Sequence, residues 1–236
     1  MQTPEPILSN QDSPGTGGRD TGGRGTGGRG TGGRDTGGPD TGGRAQGPGG
    51  DAFSFLGEEE RAAGRYITML RTTWRAPDGT VLERDVVRHP GAVAVVALRD
   101  DIEVLLVRQF RAAIGRSLLE LPAGTLDRTG ERPELTARRE LEEEAGYSAG
   151  RITLLGSMLN SPGYCDQQTF IYLAQDIRPC ERRPDGAEER SMEVLAVALG
   201  STDALVESGE LVDAQSQVGL CLAKRFLAGQ VPPSHS

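Results

Sequence analysis

Residues 124–147 read GTLDRTGERPELTARRELEEEAGY. Pro133 suits the first turn of a helix, because its ring presets φ and its missing N–H would have no partner there. Gly146 suits the position just past a helix end. The stretch therefore predicts a loop followed by a helix running from Pro133 to Gly146. On such a helix Glu140, Glu143 and Glu144 stand at i, i+3 and i+4 and share one face, while Glu142 points elsewhere into solvent. Three carboxylates so placed repel one another by on the order of 1 kcal/mol unless a cation lies between them. Hard oxygen donors in this number suit Mg²⁺ or Mn²⁺. An isolated Glu-Glu-Glu run is ordinarily a solvated face, so the residues that frame it decide the reading.

On the N-terminal side, AVAVVAL (92–98) is a continuous apolar run, the pattern of a strand covered on both faces. IEVLLVRQF (102–110) returns after Arg-Asp-Asp, and LLELPAG (118–124) ends in a Pro/Gly loop. Further upstream, GRYITMLRTTW (64–74) and TVLERDVVR (80–88) flank the turn APDG and predict a β-hairpin. Residues 58–63 are polar and read as the end of a linker. On the C-terminal side, RITLLGSML (151–159) and TFIYLAQDI (169–177) read as strands separated by NSPGYCDQQ. The polar stretch 178–191 leads to the strand MEVLAVAL (192–199), and the remainder reads as one or two helices. Strands and helices interleave and hairpins are present, so the expected class is α/β in the α+β sense: a mixed β-sheet sandwiched between helices.

Beyond this core the chain changes character. The first fifty of its 236 residues hold 18 of the 34 glycines, and a five-residue unit repeats from Thr16, Thr21, Thr26, Thr31, Thr36 and Thr41. Such a segment has little apolar surface to bury and much backbone entropy to lose, and it reads as disordered. Residues 1–57 are thus expected to be a tail and linker, 58–90 a hairpin arm and 91–236 the main domain. The tail carries five Arg and five acids, which leaves the net charge of −8 to the rest. An acidic domain is a poor generic binder of nucleic acid or anionic membrane, and an anionic substrate would need local neutralisation, for which a divalent metal is the obvious candidate. Three scattered cysteines without a CxxC suit a reducing cytoplasm. No apolar run approaches 18 residues and no signal peptide is evident, so neither a membrane span nor export is expected.

Gly124, Glu131, Arg139-Glu140-Leu141, Glu143-Glu144, Gly146 and Tyr147 resemble the signature of the Nudix hydrolases, G-x5-E-x7-R-E-U-x-E-E-x-G-U with U a bulky apolar residue. From Glu131 to Tyr147 every fixed position matches; upstream, six residues rather than five separate Gly124 from Glu131, an addition placed in the loop LDRTG. The resemblance implies a Nudix fold that holds divalent metal, Mg²⁺ or Mn²⁺, against a diphosphate. Carried over, Glu140 and Glu144 are the principal ligands, Glu143 a ligand directly or through water, and Arg139 the residue that orients a carboxylate.

Four further features look like the ADP-ribose pyrophosphatase branch. In VRQFR (107–111) and LELPAG (119–124) the resemblance maps Arg111 to substrate phosphate, Glu120 to the region of the terminal ribose, and the Ala123 carbonyl to a metal. Ser161-Pro162-Gly163 places Pro162 15 residues after Tyr147, as in that branch, although Asp166-Gln167 departs from the acidic pair often found there. GAEERSMEV (186–194) resembles an acidic loop in which a glutamate positions or deprotonates water, either Glu188 or Glu189. The hairpin resembles an arm that helps build a homodimer and a nucleobase site, with Trp74 or Tyr66 available to stack. The implied activity is Mg-dependent hydrolysis of ADP-ribose or a related nucleoside diphosphate sugar to AMP and a sugar phosphate. The alternatives are a non-catalytic sensor of such ligands and a Nudix hydrolase for a different nucleoside diphosphate.

Overall fold

The computed structural model describes residues 52–184 and 186–230; the glycine-rich repeat, and with it the expectation of a disordered tail, lies outside the described residues. Strands β1 (Ser54–Ala63), β2 (Thr68–Arg75) and β3 (Val81–Arg88) form an antiparallel sheet in that order. The APDG turn closes through Gly79 N–H to Ala76 O at 2.9 Å, with Gly79 at φ +87°, and the Asp78 carboxylate accepts from Thr80 N at 2.9 Å. The linker expected at 58–63 is instead part of β1. The ladder to β2 is made by the backbone, so its exposed polar side chains do not oppose strand formation, and Glu58 accepts from Arg88 at 2.8 Å. The strand opens at Ser54, within the segment assigned to tail and linker.

The larger sheet contains β4 (Ala92–Arg99), β5 (Glu103–Arg111), β6 (Arg116–Glu120), β7 (Ala123–Thr125), β8 (Tyr147–Leu159), β9 (Gln168–Pro179) and β10 (Glu193–Ala198). Its order is β10-β5-β4-β9-β8, with β6 on β5 and β7 on β4. The pairing of β4 with β9 is parallel and the others are antiparallel, so the sheet is mixed as expected. β4 and β5 pair only at Leu98–Val104 and Arg99–Glu103. Beyond that hairpin they separate, β7 taking the edge of β4 and β6 that of β5.

The helices are α1 (Pro133–Glu140), α2 (Ala187–Arg190), α3 (Thr202–Glu207) and α4 (Ala214–Leu227). The apolar run of β4 is covered on both faces, which is why it does not alternate with polar residues. Val93, Val95 and Ala97 pack in a cluster with Ala137, Leu141 and Ala145. Ala94, Val96 and Leu98 pack in another with Leu211, Leu220 and Ala223. Leu141 is fully buried, and its truncation to Ala would cost about 2–5 kcal/mol.

Two linkages place the loops. Val87 N donates to Tyr164 O at 2.7 Å, and Asp166 accepts from Arg88 Nη1 and His89 N, so the loop containing Pro162 is stitched to β3. At the other side, Asp213 caps α4 by accepting from Ser216 N at 2.8 Å, and the Ser216 hydroxyl accepts from Leu121 N at 2.8 Å. The C-terminal helix thereby fixes the LPAG segment.

Candidate active site

The predicted helix is present but not uniform: α1 gives way to a π-helical turn at Leu141–Ala145, closed by Gly146 in the left-handed region at φ +73°. The wider turn carries Glu143 and Glu144, consistent with the enrichment of such bulges at functional sites. Glu140 and Glu144 are buried, at 7% and 3% exposure. Glu144 Oε2 accepts from Ala123 N at 2.9 Å, which ties the LPAG segment to the signature helix. The carboxyl group of Glu140 occupies the space that a Cβ at Gly124 would need. That overlap gives Gly124 a steric reason: any larger residue displaces the carboxylate.

Arg139 organises the rest. Its Nη1 donates to Glu140 Oε1 at 2.7 Å and Glu143 Oε2 at 2.8 Å, and its Nη2 reaches Glu131 at 3.3 Å and Asp127 at 3.4 Å. Glu131 in turn accepts from the Thr136 hydroxyl at 2.8 Å. Burial opposes the charge of Arg139, yet Glu140, Glu143 and Glu131 outweigh it and hold the guanidinium above its ordinary pKa. Glu131 is resisted by burial but drawn below the usual carboxylate range by Thr136 and Arg139. Glu140 is pushed up to about 7, chiefly by burial, with Arg139 pulling the other way and Glu143 and Glu189 adding repulsion. Glu144 is driven well above its ordinary value by burial and by Glu140, against the Ala123 N–H and Arg111. Arg139, with Arg128 3.8 Å from Glu131 and 3.9 Å from Glu143, does not neutralise this group of acids.

Opposite the helix, Arg111 reaches Glu120 in a two-pronged pair, with Nε at 2.9 and 3.1 Å and Nη2 closer still to Oε2. Gln109 Nε2 adds a third donor to Glu120 at 3.1 Å. Burial works against the Arg111 charge, and Glu120 restores and raises its pKa. Glu120 is thus a buried anchor beneath Arg111, and Arg111 faces the cleft.

A cleft of about 420 Å³ joins these parts. Arg111 and Gln109 line one wall; Ala123, Gly124 and Thr125 the floor; Arg139, Glu140, Glu143 and Glu144 the helix side; Glu188, Glu189 and Met192 the far rim. Tyr66 and Arg65 also border it, the Arg65 guanidinium lying 4.7 Å from the Tyr66 ring centroid. Trp74 stands outside this cleft, edge-on to Phe55 at 5.1 Å and donating to Thr72 Oγ1, and Pro162 remains in its own loop. Gln109, Asp127, Arg65 and Met192 were not singled out from sequence. Gln109 lies inside the quoted VRQFR and Asp127 inside the six-residue loop, whereas nothing local marks Arg65 or Met192.

Among the described residues, no three acidic, histidine or cysteine side chains are already drawn into a closed metal cage. The donor chemistry nonetheless fits a divalent cation. Buried carboxylate oxygens sit side by side, hard in character and short of positive charge, and the glycine beneath them leaves room for Glu140. The cluster can hold a cation, present it to a diphosphate next to Arg111, and set a water beside the acidic turn.

The fold and this cleft define a loop–helix site of Nudix type, and comparison with known proteins agrees. The NUDIX domain model matches residues 88–215. The chain is 38% identical over 161 residues to an ADP-ribose pyrophosphatase of Bacillus subtilis, covering 68% of this chain and 86% of that one. It is 35% identical over 181 residues to an ADP-ribose pyrophosphatase of Mycobacterium tuberculosis, covering 77% and 87%. A crystal structure of an ADP compounds hydrolase superposes with a TM-score of 0.67 at 25% identity, covering 75% of this chain and 95% of that one. The chain belongs to the Nudix family and is a Nudix pyrophosphohydrolase.

Proposed function

We propose that the protein hydrolyses the diphosphate of ADP-ribose, or of a closely related nucleoside diphosphate sugar, to a nucleoside monophosphate and a sugar phosphate. The observation that carries this reading is the single cleft in which buried Glu140 and Glu144 face Arg111 and the acidic turn. The two ADP-ribose pyrophosphatase relatives support the choice of substrate. Glu140, Glu144 and Glu143 are the residues that would hold Mg²⁺ or Mn²⁺. Such a cation supplies charge neutralisation at the diphosphate and a more acidic water.

The chain's own groups do the rest. Arg111, stiffened by Glu120 and Gln109, binds a phosphate oxygen. Arg139 orients Glu140 and Glu143. Glu188 or Glu189 accepts the proton of the attacking water as its oxygen bonds to phosphorus, and the P–O–P bridge breaks with its electrons leaving on the departing phosphate. Tyr66 at the rim is placed to stack on the nucleobase. The three-stranded sheet leaves Phe55, Leu56, Ile67, Met69 and Val81 exposed, which supports its use as an arm in a homodimer. The free thiols of Cys165, Cys180 and Cys221 suit a cytoplasmic enzyme. Among the described residues no helix is long and apolar enough to cross a membrane.

The test is product analysis of ADP-ribose incubated with the full chain and Mg²⁺. AMP and ribose 5-phosphate, abolished by chelation, support the reading. Cleavage of other nucleoside diphosphate sugars in place of ADP-ribose moves the specificity, and binding without cleavage of any of them overturns it in favour of a sensor.

A further inference from the structure

The turn that carries Glu188 and Glu189 is short and lies against β5. α2 spans four residues, none of them buried, and one isolated turn is far too short to be stable by itself. Its internal bonds, Ser191 N to Glu188 O and Met192 N to Glu189 O at 3.1 Å each, tie the turn to itself and not to the domain. A carboxylate that must meet one proton of one water needs better support than that.

The support is a side chain from outside the turn. Arg182 Nη2 donates to Glu189 O at 2.6 Å, and Arg182 Nη1 donates to Met192 O at 3.2 Å. These two carbonyls belong to the last turn residue bearing a carboxylate and to the residue that leads into β10. Arg182 is anchored in turn at the end of the signature helix. Its Cβ packs over Gly146, and Cys180 N donates to Gly146 O at 2.8 Å. Arg182 Nε is buried without a hydrogen-bond partner among the described residues, a cost tolerated where the two remaining donors are well used. The guanidinium is planar and forked, so two carbonyls bound at once fix both the distance and the orientation of the segment.

We propose that Arg182 is a positioning residue for hydrolysis: its fork clamps the main chain at Glu189 and Met192 and so holds the proton-accepting carboxylate of the acidic turn over the end of the signature helix. Arg182 itself touches no reacting atom. The inference rests on the hydrolytic reading of the cleft.

The experiment compares Arg182→Met and Arg182→Lys in the full-length protein and in a Glu188→Gln/Glu189→Gln background, using ADP-ribose and Mg²⁺, with amide exchange of residues 187–192 followed alongside. Arg182→Met is expected to lower kcat by about tenfold to a hundredfold while KM stays within about threefold. Lys keeps the charge and a single donor nitrogen without the planar fork, and recovers part of the loss. Exchange across the turn becomes about tenfold faster. In the double-Gln background Arg182→Met causes no further loss, because there is no carboxylate left to position.

An equal fractional loss in both backgrounds, or unchanged exchange, overturns the proposal. If Glu188→Gln/Glu189→Gln leaves kcat intact, the base assignment fails and the positioning role of Arg182 is overturned with it, whatever the exchange shows. Should Arg182→Met fail to fold, Arg182→Lys carries the same comparison.

Discussion

Two pairs of glutamates face each other across the cleft and differ in almost everything except side chain. Glu140 ends α1 and Glu144 lies on the π-helical turn that follows; both are buried, Glu140 against Arg139 and Glu144 against the Ala123 amide. Glu188 and Glu189 sit on a single exposed turn held by Arg182. The first pair is costly to ionise and gains most from a cation, since its charge cannot be solvated. The second sits on a turn with no buried residue. On the proposed reading, burial divides one residue type into ligands and proton acceptors.

The largest expected effect breaks the comparison at its buried side. Glu144→Gln should lower kcat by about a thousandfold, a change of roughly 4 kcal/mol in the barrier. In the absence of metal its unfolding temperature should match or exceed that of the parent, because a buried charge has been removed. A destabilised but active variant would show that Glu144 is structural.

Next comes the exposed side. Glu188→Gln and Glu189→Gln, made singly, should separate: one lowers kcat by about a hundredfold or more, the other by only a few fold, and neither moves the thermal midpoint. Equal, small losses from both would remove the turn from the chemistry.

A third effect is read in pH. The folded pKa of Glu140, about 7, lies above its ordinary 4.5. In the metal-free protein the stability contributed by this group is therefore complete below about pH 4.5 and lost as pH rises through 7, a span worth roughly 3 kcal/mol. A cation needs the carboxylate form and so replaces the proton. The rise in melting temperature produced by Mg²⁺ should be larger at pH 8 than at pH 6, and equal rises would contradict the assignment of Glu140 as a ligand. The smallest effect concerns the base site: Tyr66→Ala should raise KM by roughly fivefold to tenfold, and Trp74→Ala by less than twofold with the cleft as seen.

Much of this was legible in the chain. The β4 run announced its two covered faces, Pro133 and Gly146 marked the ends of the signature helix, and the spacing of Glu140, Glu143 and Glu144 pointed to cation chemistry. Other features lie beyond a linear reading. The strand at Ser54–Ala63 is built by backbone pairing to β2, and its polar side chains gave no alternating pattern to detect. The π-helical turn depends on how Leu141 and Ala145 seat against β4, which local propensity does not encode. The fork of Arg182 joins residues seven and ten positions away through main-chain atoms, and any residue type could supply those carbonyls.

The parting of β4 from β5 has a consequence for what changes the site tolerates. Opened strands would present two unpaired inner edges to the substrate, but β6 and β7 cover them and residues 121–122 bridge the gap, with Val95 N bonded to Pro122 O at 2.9 Å. The floor is therefore a measured span between two fixed rails. Losing one residue from it would move the next side chain into the volume held by the Glu140 carboxyl, and gaining one would carry the Ala123 amide away from Glu144. Length here is as constrained as identity, whereas residues 128–130 are exposed, and an additional residue there would leave Leu126 N on Gly91 O at 3.0 Å and Asp127 beside Arg139 at 3.4 Å.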